Sequence, residues 1–197
     1  MDARNTLNAL LKDNHGYVTT RAASAVGIKR WELSRLVQQG MLSRAAQGLY
    51  VNSDLLPDPL VVAQHRCASG VFSHETALFL HDLSDRVPLQ MMMTIPSGWN
   101  TPMLKDDNMV FFYVRKDWFE LGVVSLKTRS GPMVRCYDTE RTLCDCIRGL
   151  SRLDRDLVMM AMKTAMKQGA INKPKLLHYA DVFGIRELMF QYLEVLT

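Results

Sequence analysis

Apolar positions in the first fifty residues recur at helical spacing and then switch to a shorter period. Leu7, Leu10 and Leu11 make one stripe, which predicts a helix from about Ala3 to Asp13 closed by the glycine of "HGY". "VTTRAASAVG" predicts a second, short helix with Thr19 or Thr20 as N-cap and Gly27 as its stop. Leu33, Leu36 and Val37 place a third helix over about Lys29 to Gln39, ended by Gly40. "MLSRAAQGLYV" then reads as two extended pieces about a Gln47-Gly48 turn. Helices this short cannot bury much surface singly, so they are expected to pack together around Leu7, Leu11, Val18, Ala22, Val26, Leu33, Leu36 and Val37. Helix, helix, glycine turn, helix and hairpin is the order of a winged helix-turn-helix.

"NSDLLPDP", Asn52 to Pro59, interrupts the pattern with two prolines and two aspartates and predicts a domain boundary. The expected division is a first domain over 1–52, a linker over 53–58 and a second domain over 59–197. In the latter the pattern predicts helices near Leu60 to Ser69 and Ser73 to His81, and strands near Leu89 to Ile95, Met109 to Val114, Val123 to Thr128 and Met133 to Tyr137. A mostly helical tail follows from Thr139 to Leu196, with Asp138 or Thr139 capping "ERTLCDCIRG". The fold class expected is therefore α+β: an N-terminal winged helix-turn-helix followed by a mixed α/β domain with a helical tail.

Composition changes this picture in one place. With 48% hydrophobic and 22% charged residues in 197, the chain is of ordinary globular type. It lacks an apolar run of the roughly 18–20 residues a spanning helix needs, and "MDARNTLNALLKDN" lacks the layout of a signal peptide, so a cytoplasmic protein with no membrane partner is expected. The net charge of +4, however, is not spread evenly. Residues 1–51 hold seven basic and three acidic residues, and the remainder holds seventeen of each. The excess sits where a polyanion would be held.

That excess meets the third helix. With Leu33, Leu36 and Val37 turned inward, Arg30, Trp31, Ser34, Arg35 and Gln38 point outward. Arginine donates in a fork to guanine, glutamine pairs with adenine, and serine serves either. Lys29 and Arg30 at the start of this helix, Arg21 with Thr19 and Thr20 at the start of the second, and Arg44 on the hairpin are placed to meet phosphates. Double-stranded DNA is the partner these residues favour. Trp31 supports a second reading, a protein-binding module in which the indole anchors an interface.

Chemistry beyond binding finds no candidate. His74-Glu75 and His81-Asp82 in "FSHETALFLHDL" are neighbours on a helix and point about 100° apart, so neither is a dyad; Ser73 is expected to cap that helix. Asp154 and Asp156 resemble paired metal-binding acids but lack the preceding strand-to-helix motif of a nucleotidyltransferase. The residue two before Lys127 is Ser125, where a nuclease of the acid-x-lysine type needs an acid. Cys67, Cys136, Cys144 and Cys146 fit neither a disulfide framework nor a zinc site and are expected as reduced, partly buried thiols. No catalytic residue, metal or cofactor is expected. "QMMMTIP" reads as a buried strand, Met159, Met162 and Met166 as a core stripe. The basic residues Arg148, Arg152, Arg155, Lys163, Lys167, Lys173 and Lys175 read as solvated helix faces, with a partner or DNA-flanking surface as the rival.

The segment "GYVTTRAASAVGIKRWELSRLVQQGMLSRAAQGLYV", Gly16 to Val51, resembles the N-terminal winged helix of AbiEi-type antitoxins of bacterial abortive-infection systems. "FSHETALFLHDL" (Phe72 to Leu83) and "VRCYDTERTLCDCIR" (Val134 to Arg148) are similar to landmarks of that family's second domain. The resemblance implies an autorepressor that binds inverted repeats in its own promoter, with DNA contact at residues such as Lys29, Arg30, Arg35 and Arg44. It also implies an antitoxin domain that counteracts a nucleotidyltransferase toxin without forming a stable complex, and no catalysis.

Overall fold

The structure, a computed structural model, describes residues 3–99 and 108–196. Packing divides the chain into two units, residues 1–68 with 127–134 and residues 69–126 with 135–197. The first unit carries α1 (Ala3–Asp13), β1 (Tyr17–Thr19), α2 (Thr20–Ala25), α3 (Arg30–Gln38), β2 (Leu42–Ala46), β3 (Leu49–Asn52) and α4 (Pro59–Arg66). Thr19 caps α2, its hydroxyl accepting from the Ala22 amide at 3.0 Å. Gly27 at φ 84° and Gly48 at φ 76° make the left-handed turns that let α3 and β3 follow. The three strands form an antiparallel sheet in the order β1-β3-β2, with Tyr17 opposite Val51 and Arg44 opposite Tyr50.

Leu7, Val18, Ala23, Ile28, Leu33, Leu36, Leu42 and Tyr50 form the core of this unit, with Leu11 and Val37 packed against it. Two expected members differ. Val26 is 44% exposed and Ala22 only half-buried. The reason is that α2 ends at Ala25, so the helical period stops applying before Val26, and the turn at Gly27 carries Ile28 inward instead. The stretch after β3 is folded rather than loose: the Asp58 amide donates to Tyr17 Oη at 2.8 Å and Asp58 Oδ1 accepts from Leu60 N at 2.9 Å, capping α4 with Pro59 in its first turn. Val61 and Val62 then pack against Tyr17, Leu49 and Val51. The division by packing accordingly comes after α4, past the proline-rich stretch.

The second unit holds β4 (Val71–Phe72), α5 (His74–Leu80), β5 (Met91–Pro96), β6 (Met109–Val114), α6 (Lys116–Phe119), β7 (Val123–Lys127), β8 (Met133–Tyr137) and four helices, α7 (Thr139–Arg148), α8 (Arg155–Lys167), α9 (Lys173–Val182) and α10 (Arg186–Leu196). Its five-stranded sheet runs β6-β5-β4-β8-β7, with β4 antiparallel to β5 and parallel to β8, and β5 parallel to β6. The described residues make a mixed α+β protein with two sheets. As expected, β5 is buried along nearly its whole length and Met162 lies in the helical core with Met159 against it, while Met166, near the end of α8, is half-buried outside that cluster.

α7 is buried on all sides from Glu140 to Ile147. Leu143, Cys144, Cys146 and Ile147 pack against Val158, Ala161, Met162, Leu176 and Met189 of α8, α9 and α10. All four cysteines are buried and outside any disulfide; burial pushes the Cys144 thiol up to about 12 and raises that of Cys146 as well, so these two pack as protonated thiols. Arg141 passes beneath Gly122, where a Cβ would lie 2.9 Å from the arginine's own Cβ and 3.0 Å from Asp138 Oδ2. Glycine is needed there both for space and for its φ of 79°. No helix among the described residues is long and apolar enough to cross a membrane, and none of their His, Cys, Asp and Glu side chains form a group able to hold a metal.

Candidate nucleic-acid interface

α3 is held by its inner face and leaves its outer face bare. Leu33 and Leu36 are buried, and Ile28 is locked beneath the helix start. On the other side Arg30, Trp31, Ser34, Arg35 and Gln38 are all exposed. Glu32 accepts from the Lys29 amide at 2.7 Å, which closes the first turn and leaves the exposed Lys29 side chain at the helix N-terminus. Ser34 Oγ donates to the Arg30 carbonyl at 3.2 Å. The Arg35 guanidinium lies 5.5 Å over the Trp31 ring, and Trp31 remains 58% exposed. The indole therefore stands on the same open face as the polar residues rather than under the hairpin.

The other expected residues separate into two groups. Arg21 and Arg44 are exposed. Thr19 and Thr20 are half-buried and engaged within the unit, Thr19 as the α2 cap and Thr20 through its amide and hydroxyl, which donate to the Gly48 carbonyl at 2.9 and 3.4 Å. Thr20 thus ties the start of α2 to the hairpin turn, and His65 Nε2 reaches the neighbouring Gln47 carbonyl at 3.0 Å. These bonds fix the hairpin relative to α2 and α3.

In the second unit the polar residues of the two sequence landmarks are spent on one another. Phe72 pairs with Cys136 across β4 and β8, and His81 Nε2 bonds the Tyr137 carbonyl at 2.7 Å. Asp138 caps α7 through Arg141 N at 2.8 Å and also receives Tyr179 Oη and Lys175 Nζ at 3.1 and 2.9 Å. Glu140 accepts from the Asn172 amide at 2.7 Å, which joins the start of α9 to α7. Asp154 caps α8 through the Asp156 and Leu157 amides and pairs with Arg86 at 2.7 Å, so it opens a helix rather than forming a paired-acid site with Asp156.

Ser73 departs from its expected role. It stands at the N-cap of α5 without capping it, because its hydroxyl lies 2.9 Å from His74 Nδ1. His74 is buried at φ 51°, stacked on Phe112 with ring centroids 3.5 Å apart. Burial first, then the Arg141, Arg148 and Arg152 charges, hold its imidazole down to about 3. Asp145 borders the same space, but both its oxygens are engaged with Arg141 and Arg148. The folded state binds this proton far less well than the unfolded chain, whose histidine titrates near 6.5. His74 thus contributes stability that is full above about pH 6.5 and is lost as the pH falls toward 3, in total about 4–5 kcal/mol. Urea unfolding at pH 7 and pH 4.5 should show about 2–3 kcal/mol of acid loss that is absent in His74→Asn, since asparagine tolerates the same φ.

Comparison with known proteins bears on the first unit. Residues 5–53 match the family model described as "Transcriptional regulator, AbiEi antitoxin". The matched segment, about a quarter of the chain, is similar to AbiEi antitoxin regulators. The AbiEi match covers α1 to β3, the elements that carry the exposed α3 face. No curated protein sequence matches the chain. Among solved structures, the crystal structure of the Rv2827c protein from Mycobacterium tuberculosis is similar in fold, with a TM-score of 0.51 at 12% identity over 94% of this chain and 78% of that one.

Proposed function

We propose that residues 1–52 of this AbiEi-type regulator form a winged helix-turn-helix that binds double-stranded DNA, with α3 in the major groove and the β2–β3 hairpin as the wing. The observation that carries the reading is the outer face of α3. Arg30, Ser34, Arg35 and Gln38 stand exposed on a helix anchored by Leu33 and Leu36, with the chain's positive excess in the same segment. Arg21, Lys29 and Arg44 serve as phosphate contacts, and Thr19 and Thr20, at the start of α2 beside them, hold the frame that presents these cations. The target is an inverted repeat in the protein's own promoter, which makes the protein an autorepressor. Residues 59–197 carry the antitoxin role, opposing a nucleotidyltransferase toxin in the cytoplasm without a stable complex and without catalysis of their own.

Trp31 favours a second reading, docking of a protein partner, because 58% exposure is high for an indole. The two readings differ in their response to salt. Arg44→Ala is expected to weaken binding to every duplex alike and to reduce the salt slope by about one, as loss of one phosphate contact does. Mobility-shift titrations at several salt concentrations, with the promoter duplex and an unrelated one, check this; an unchanged slope removes Arg44 from the interface.

A further inference from the structure

The second unit contains a small open cavity of about 150 Å³ that the DNA-binding reading does not use. It is lined by His74, Phe112, Asp145, Arg148, Gly149 and Arg152, among others. Three features of this cavity belong together. The first is charge. Arg141, Arg148 and Arg152 surround His74, and the single acid in the wall, Asp145, has one oxygen on Arg141 Nε at 2.8 Å and the other on Arg148 Nη1 at 3.2 Å. Arg152 lies 5.1 Å over the Phe112 ring, and no carboxylate among the described residues pairs with it. The charged residues of the lining are thus two arginines and one carboxylate that is already engaged, which leaves the cavity positive.

The second feature is His74 itself, a side chain held in the left-handed backbone region, which is costly for a non-glycine residue and concentrates at functional sites. That conformation presses the ring onto Phe112 and engages Nδ1 with Ser73, and the Nε2 edge borders Gly149. The third feature is Gly149. At φ −91° its backbone is open to any residue, so the usual left-handed reason for a glycine after a helix does not apply. A Cβ at this position would stand 3.3 and 3.4 Å from His74 Cδ2 and Nε2. The absent side chain leaves the imidazole edge reachable from the cavity.

We propose that this cavity binds the phosphate group of a small molecule, with Arg148 and Arg152 supplying charge-assisted donors and His74 a further hydrogen bond at Nε2. The volume is below the several hundred Å³ typical of a site that encloses a whole organic ligand, so one anionic group enters and the rest of the molecule stays outside. A phosphate group, with more oxygens and more charge than a carboxylate, makes fuller use of two arginine forks.

The test is a titration of the full chain with inorganic phosphate at constant ionic strength, read by the imidazole signals of His74 in histidine-labelled protein. A saturable shift is expected, weaker by about tenfold or more in Arg152→Gln and kept in the Lys29/Arg30/Arg35 triple alanine, whose changes lie in the other unit. Arg152 is exposed, so this variant should retain the circular dichroism of the parent. Adenosine monophosphate against adenosine separates a nucleotide phosphate from free phosphate: binding by either phosphate source with none by adenosine supports the proposal. A response to acetate equal to that of phosphate, a shift unaltered by Arg152→Gln, or no saturable shift would overturn it.

Discussion

Replacing Arg141 by alanine should destabilise the protein by about 3–5 kcal/mol, the range for breaking a buried ion pair by removing one partner. The arginine is fully buried and its Nε donates to Asp145 at 2.8 Å. Its Nη1 donates to the Trp118 and Leu121 carbonyls at 2.6 and 2.9 Å. The guanidinium also lies 4.1 Å over the Tyr137 ring and 4.5 Å over that of Phe183. Truncation leaves two carbonyls without their donor and leaves Asp145 with Arg148 alone. It also opens a void at the point where α7 meets the loop before β7. Urea unfolding monitored by circular dichroism measures the loss. The double variant Arg141→Met, Asp145→Leu should recover much of it, because two apolar side chains remove the unpaired charge together with its partner. A single Arg141→Ala variant as stable as the parent would show that the pair contributes nothing to holding α7.

The second large effect is on binding. A Lys29→Ala, Arg30→Ala, Arg35→Ala triple variant should lose promoter affinity by about 100-fold or more, since each cation contributes about 1–3 kcal/mol if it reads a base and somewhat less at a phosphate. Its fold should persist. All three side chains are exposed, the Lys29–Glu32 bond uses the lysine's backbone amide, and the Arg35–Trp31 stacking given up is worth only about 0.5–1 kcal/mol at an exposed site. Mobility shifts at fixed salt, paired with thermal unfolding, separate lost contacts from lost structure. Unchanged affinity with an unchanged melting temperature would remove α3 from the interface.

The first unit was legible because its signals are local. Apolar stripes at helical spacing place α1 and α3, a hydroxyl cap and Gly27 bound α2, and the Gln47-Gly48 turn sets the hairpin. The exposed face of α3 follows from the same period, since fixing Leu33 and Leu36 inward fixes Arg30, Trp31, Ser34, Arg35 and Gln38 outward. What escaped were elements too short to show a period. β1 has three residues, β4 has two and α6 has four. Val26 was misplaced for a related reason, a helical rule carried one residue beyond the helix.

The second unit hid more because its determinants are distant in sequence. "DTERTLCDCIR" has the composition of a solvated amphipathic helix, yet α8, α9 and α10 close over its apolar residues, and Arg141 and Asp145 are buried as well. Only tertiary packing shows that charged residues there pair inside the core. His74 likewise reads as an ordinary first-turn residue. Its left-handed backbone, its stacking on Phe112 from another strand and its neighbours Arg148 and Arg152 become visible only when β6 and α7 are brought together.

The central claim, that the first unit is a DNA-binding head, is tested most directly by the salt dependence of the intact protein's affinity for its own promoter duplex. Counterion release predicts that the logarithm of the binding constant falls linearly with the logarithm of salt concentration, with a slope of about −0.9 for each phosphate contacted. The cations Arg21, Lys29 and Arg44 alone call for a slope of about −2 to −3. A flat dependence, or equal affinity for promoter and unrelated duplex at every salt concentration, would contradict sequence-specific DNA binding by this face.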